Sequence, residues 1–240
     1  FIKAAFSEKA NKNIFNLLSM FEELTLKNGA RIILAPHDTA SPTTLVTYPV
    51  VSRYEPEQLR GVSHYIEHIM VKVTEKRKSA FELTLAIDRL GAEYNAYTGK
   101  EETGYYIKAD SSFLDTSMDI LSDMLFNSVF DAKEMEKEKG PVIEELKMYR
   151  DNPLMNIDNV FEETMFTLPL GGDEGGTDKH VQSFKRPDVL AYRDKYYDPG
   201  NMIIIVTGKI PTAIRELIDA YFGSHKKKVK PSSSFKAAAL

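Results

Sequence analysis

The chain contains no cysteine. That excludes disulfides and thiolate metal sites, so any metal must be held by His, Asp or Glu. The same absence suits a reducing cytoplasm, and equally a cysteine-poor periplasmic or organellar setting. No run of about 18 apolar residues occurs, so no segment reads as a membrane-crossing helix. Basic excess is missing too: the formal charge is −4, which offers nucleic acid no electrostatic footprint. The one basic run, Lys226-Lys227-Lys228 with Lys230, reads as a solvated tail. The first residue is Phe1 rather than Met, as in a fragment or a processed form. What remains, 42% hydrophobic and 28% charged over 240 residues, is a globular composition long enough to bury a sizeable core.

Hydrophobic patterning predicts strands first, helices next and one late strand. Phe21 to His37 reads as a hairpin turning at Asn28-Gly29. Thr43 to Val51 reads as a third strand, with Pro49 demoting it to an edge or a bend. A helix is expected from Leu59 to about Val73, and another over Leu83, Ile87 and Leu90, stopped by Gly91. Two strands follow, Tyr94–Thr98 and Thr103–Ala109, and then an amphipathic helix through Leu114, Met118, Leu121 and Leu125. Asp131 caps a charged helix running to about Arg150; Pro141 is expected to interrupt it, and Pro153 opens the next helix. The glycine-rich stretch from Pro169 to Asp178 reads as a loop. Pro187–Tyr197 is helical, Met202–Val206 a central strand, and Ile214 to Phe222 a last helix. The pattern is α+β: a mostly antiparallel sheet with helices packed on one face. Residues 1–20 read as an extension, 21–223 as one domain and 224–240 as a linker.

The chemistry concentrates in His64-Tyr65-Ile66-Glu67-His68. Two His four apart share one face of a helix, with Cβ atoms about 5–6 Å apart, and can grip a single ion. Glu67 reaches the same side of the helix, adjacent to the ion rather than necessarily bound to it, as a hydrolytic site needs of a carboxylate that takes the water's proton. This His-x-x-Glu-His order is that of the inverted zincins. A catalytic zinc wants a third protein ligand. Glu138 and Glu145 lie two turns apart on one face of the charged helix, and Glu144 points about 100° away from Glu145. Spacing alone leaves the choice among them open.

Further segments complete a resemblance. Arg53-Tyr54-Glu55-Pro56 and Gly61-Val62-Ser63 precede the motif, and Asn95-Ala96-Tyr97-Thr98 follows it. Glu136-Lys137-Glu138-Lys139 with Val142-Ile143-Glu144-Glu145 lies beyond, then Tyr196-Tyr197 through Asn201-Met202. In this order, over Phe21 to Phe222, they resemble the insulinase/pitrilysin zinc peptidases. The resemblance implies zinc as cofactor, held by His64, His68 and Glu145. It implies Glu67 as general base, Glu138 as an accessory catalytic carboxylate, and Asn95, Ala96 and Tyr97 as the edge that binds an extended peptide. It also implies one half of a clamshell, whose second homologous half, in the same chain or a separate subunit, supplies the transition-state Arg and Tyr. The function so implied is zinc-dependent endopeptidase action on extended or unfolded peptides. The alternative is a non-catalytic peptide-binding or assembly subunit of the same family. Three positions depart from the family pattern: Val73 stands for a glycine, Gly172 for a basic residue, and Gly140-Pro141 falls between the two helix carboxylates.

Overall fold

The computed structural model describes residues 21–50, 52–168 and 170–226. The expected extension over 1–20 and most of the expected linker lie outside the described residues.

Six strands form one sheet: β1 (Glu22–Thr25), β2 (Arg31–Pro36), β3 (Thr43–Tyr48), β4 (Glu93–Thr98), β5 (Thr103–Lys108) and β6 (Ile203–Gly208), in the order β1-β2-β6-β3-β5-β4. All neighbours are antiparallel except β2 and β6. The predicted hairpin is β1–β2, with Gly29 at φ 90° in its turn. The Asn28 amide also donates to the carbonyls of Phe222 and His225, at 2.7 and 3.0 Å, so the turn holds the far end of the domain as well. Side chains of period two fill the buried face. Ile32, Ile204, Val46 and Tyr105 form one row across four strands, and Leu34, Val206, Thr44 and Ile107 the next; all are at most 4% exposed. Each such aliphatic side chain contributes about 1.5–3 kcal/mol by leaving water.

The position of β3 decides between the two readings of Pro49: the bend is there, and the edge position is not. β3 is an interior strand, paired on both sides by β6 and β5, and it ends at Tyr48. Proline tolerates that place because it lies just past the last ladder residue and removes no hydrogen bond from the sheet.

The helices are α1 (Val62–Met70), α2 (Ala80–Asp88), α3 (Leu114–Asn127), α4 (Ala132–Asp151), α5 (Pro153–Met165), α6 (Asp178–Ser183), α7 (Arg186–Tyr196) and α8 (Ile214–Ile218). α4 corrects the expectation at Pro141: it runs unbroken for 20 residues. Pro141 and Lys137, whose carbonyl loses its partner, are both on the exposed side, where water replaces the missing bond. The opposite side buries Met135, Glu138, Val142 and Leu146, and that packing runs on both sides of the proline. Among the described residues, no helix is long and apolar enough to cross a membrane.

Candidate metal centre

Helical period sorts α1 into two faces. Val62, Tyr65, Ile66, Ile69 and Met70 are at most 1% exposed, which turns His64, Glu67 and His68 towards the remaining side. The start of this helix is fixed by an unusual device. Its N-cap is Gly61, in the left-handed region at φ 86° and with no side chain to cap the turn. Glu55 does the capping from outside: its carboxylate accepts from Gly61 N at 2.6 Å and Ser63 N at 2.7 Å. Burial pushes Glu55 up to about 7, against the pull of these backbone bonds. A side chain on Gly61 would collide with the Gly175 carbonyl, and one on Gly175 would collide with Leu146 of α4. The glycine-rich loop is therefore glycine-rich because it is wedged between the two site helices.

His64 Nε2 and His68 Nε2 lie 3.3 Å apart. Glu145 meets them from α4, with Oε2 3.1 Å from His68 Nε2 and Oε1 3.7 Å from His64 Nε2. One donor atom from each of these three residues falls within 4.8 Å of the others, a spacing at which they can share an ion. Hydrogen bonds to the two imidazoles hold the Glu145 carboxyl well below the usual carboxylate range. Glu144 instead points to solvent and pairs with Lys147 at 2.8 Å, so of the two neighbours it is Glu145 that faces the imidazoles.

Glu138 does not face the same point. Its Oε1 accepts from His68 Nδ1 at 3.0 Å, on the far side of the ring from Nε2, and its Oε2 is 2.8 Å from Lys72 Nζ. Burial disfavours the imidazolium of His68, but Glu138 and Glu145 outweigh it and raise that histidine to about 9. The Nδ1 of His64 is buried without a hydrogen-bond partner among the described residues.

Glu67 lies on the open side of the trio. Burial raises its pKa above the ordinary value, although Thr98 Oγ1 donates to its Oε2 at 2.6 Å. Thr98 ends β4, the edge strand, which packs against α1 and brings Asn95, Ala96 and Tyr97 to the same cleft. That cleft has a volume of about 570 Å³ and is closed on its other side by Met155, Asn159 and Glu162 of α5. Tyr97 lays its ring over Gly104 and donates to Glu102 at 2.9 Å, while Asn95 Oδ1 accepts from Ala96 N at 3.0 Å.

Three residues escaped the sequence reading as participants: Glu55, Lys72 and Thr98. Glu55 and Thr98 stand inside segments that carry the resemblance, but no spacing rule links them to the motif. Lys72 follows a helix end, where a lysine ordinarily complements the backbone dipole.

Comparison with known proteins agrees with this geometry. Residues 33–175 match the model of the insulinase family (peptidase family M16), and residues 183–239 match that of the peptidase M16 inactive domain. The chain is 35% identical to the uncharacterized zinc protease YmxG of Bacillus subtilis, covering 88% of this chain and 52% of that protein. It is 32% identical to mitochondrial-processing peptidase subunit beta of Caenorhabditis elegans, covering 84% of this chain and 44% of that one. A crystal structure of a protease from Helicobacter pylori superposes with TM-score 0.83 at 27% identity, over 90% of this chain and 52% of that one. The chain thus spans about half the length of the relatives it matches. With the matched family model covering more than half of the sequence, and the motif residues gathered at one cleft, the chain belongs to the insulinase family of peptidases, M16.

Proposed function

We propose that this chain is the metal-holding half of a zinc endopeptidase acting on extended or unfolded peptides, with His64, His68 and Glu145 as the zinc ligands. The observation that carries the reading is the convergence of those three side chains beside Glu67. Two neutral nitrogens and a carboxylate are the donor set of a catalytic zinc, and donors on one tetrahedral zinc stand about 3.3 Å apart, by bond lengths of about 2.0–2.1 Å. The two Nε2 atoms stand 3.3 Å apart, and a Glu145 oxygen lies 3.1 Å from one and the other oxygen 3.7 Å from the second, close to that spacing.

Zinc held there supplies a water of lowered pKa and polarises the peptide carbonyl. Glu67 takes the proton from the attacking water and returns it to the leaving amine. Thr98 occupies Oε2, which leaves Oε1 to carry that proton. The upward shift from burial brings this carboxylate closer to neutrality, where a general base is most effective. Glu138 serves as the accessory carboxylate by orienting His68. Asn95, Ala96 and Tyr97 take the substrate as an added strand on β4, an arrangement whose affinity comes from main-chain bonds and tolerates varied sequences.

The second half-domain, joined through the residues after 223 or supplied as a separate subunit, closes the cleft and brings the transition-state Arg and Tyr. Losing one such oxyanion donor typically costs about 10²–10³-fold, so the chain alone binds zinc and turns over little substrate.

The test has two stages. Atomic absorption should find one zinc per chain, and His68→Ala should abolish it; a wild-type chain that takes up no zinc sinks the reading. With a second half supplied, cleavage of an unfolded peptide should appear, and Glu67→Gln should keep zinc while losing about 10²–10⁴-fold in turnover. Undiminished cleavage by Glu67→Gln refutes the base assignment. Zinc uptake with no cleavage in the reconstituted pair indicates the non-catalytic subunit instead.

A further inference from the structure

Three charged side chains, His68, Glu138 and Lys72, meet at the back of the metal centre. Lys72 is the one that the site as described does not use. It stands four residues after His68, just past the C-cap of α1, where its own N–H closes the last turn on Ile69 O at 3.1 Å. His68 and Lys72 therefore project from the same side of α1, one turn apart, towards α4. Between them sits Glu138, whose side chain is 9% exposed. Each of its oxygens has one of the two as partner: Oε1 the imidazole Nδ1 at 3.0 Å, Oε2 the ammonium at 2.8 Å.

A carboxylate this buried is costly unless both oxygens are satisfied. The imidazole satisfies one only. Without the ammonium, Glu138 is half-paired, and it can relieve that by turning towards solvent or by holding a proton. Either change weakens its grip on His68 Nδ1–H. That grip sets which ring nitrogen keeps a lone pair and where it points. His64 offers no compensation, because its own Nδ1 has no partner among the described residues.

We propose that Lys72 is a positioning residue of the metal centre: its ammonium fixes the Glu138 carboxylate, which in turn holds His68 with Nε2 directed at the shared ion. The inference rests on the zinc reading above and adds to it a residue that touches neither metal nor substrate.

The test uses the 240-residue chain and zinc alone, in competition with a chromophoric chelator. Lys72→Gln should weaken zinc about tenfold, the lower end for loss of an outer partner of a metal-bound histidine. Lys72→Arg, which keeps the cation, should stay close to wild type. Glu138→Gln should weaken zinc at least as much, and Lys72→Gln should add nothing further on that background, since both act through one carboxylate. In zinc-loaded chain with ¹⁵N-histidine, the His68 Nδ1–H proton should lie downfield in wild type and Lys72→Arg and move upfield in Lys72→Gln. Wild-type affinity in Lys72→Gln, or full additivity with Glu138→Gln, overturns the proposal while leaving the zinc reading intact. A wild type that binds no zinc overturns both. If Lys72→Gln fails to fold, the decision passes to Lys72→Arg: a loss there as large as that of Glu138→Gln overturns the proposal.

Discussion

α4 and α5 are consecutive helices separated by Asn152, and they form adjoining parts of one cleft. α4 carries a dense run of charge yet buries Met135, Glu138, Val142 and Leu146, whereas α5 is richer in apolar residues and buries none of them. Leu154, Ile157, Phe161 and Met165 recur at helical spacing on α5 and are 59–87% exposed. Overall composition would have ranked the two helices the other way. What decides burial is whether the apolar positions form a stripe that meets another element, and α4 meets α1 while α5 leans on α4 alone among its stronger contacts. The chemistry sits on the interlocked pair, where Leu146 and the glycine loop leave little room for movement. β4 and α5 sit on the open side of the cleft, where Asn95, Tyr97 and the apolar side chains of α5 are exposed.

This contrast can be broken or sharpened by experiment. The largest effect expected is on metal affinity against pH. In the ion-free chain His68 titrates at about 9, held up by carboxylates against its burial. A proton on that ring competes with zinc, so the charged form is the one that must be lost on binding. Apparent zinc affinity should therefore rise about tenfold per pH unit between pH 6 and 8 and level off above 9; a flat profile would show that the interlocked wall does not hold His68 as described. Next comes stability. Leu146, 3% exposed, should lose about 2–5 kcal/mol on Leu146→Ala in denaturant unfolding. Leu154, 87% exposed, should change by less than about 0.5 kcal/mol on Leu154→Ala. Equal losses would erase the distinction between the two helices. Glu55→Ala should cost about 1–3 kcal/mol by leaving two buried N–H groups at the start of α1 unpaired. The smallest effect belongs to the open wall: in the reconstituted enzyme, Asn95→Ala should raise KM a few-fold, about 1 kcal/mol for one lost hydrogen bond, and leave zinc content unchanged.

Much of this was legible beforehand, for identifiable reasons. The hairpin at Asn28-Gly29 and the capped start of α4 at Asp131 are written in local backbone chemistry and stand where the sequence places them, whereas α2 ends at Asp88, ahead of the expected stop at Gly91. The His64/Glu67/His68 face follows from a period of 3.6 residues alone. Pro141 misled, and so did the edge alternative at Pro49, where a bend is found instead, because a proline's cost depends on whether its missing hydrogen bond would have been buried. At Pro49 the ladder had already ended, and at Pro141 the freed carbonyl belongs to Lys137 on the exposed side of the helix. The charged helix offered several carboxylates, and spacing could not choose among them.

The sequence by itself determined the composition of the centre: two histidines one turn apart, a carboxylate between them, a carboxylate-rich helix downstream, and no sulfur to compete. Tertiary structure alone decided which carboxylate does what. Glu145 reaches the Nε2 atoms, Glu138 turns to the opposite edge of the same ring, Glu55 caps the helix and Thr98 holds Glu67. The reason is physical: helical period fixes which side a residue occupies, but only the docking of α4 and β4 against α1 fixes which atoms come within bonding distance.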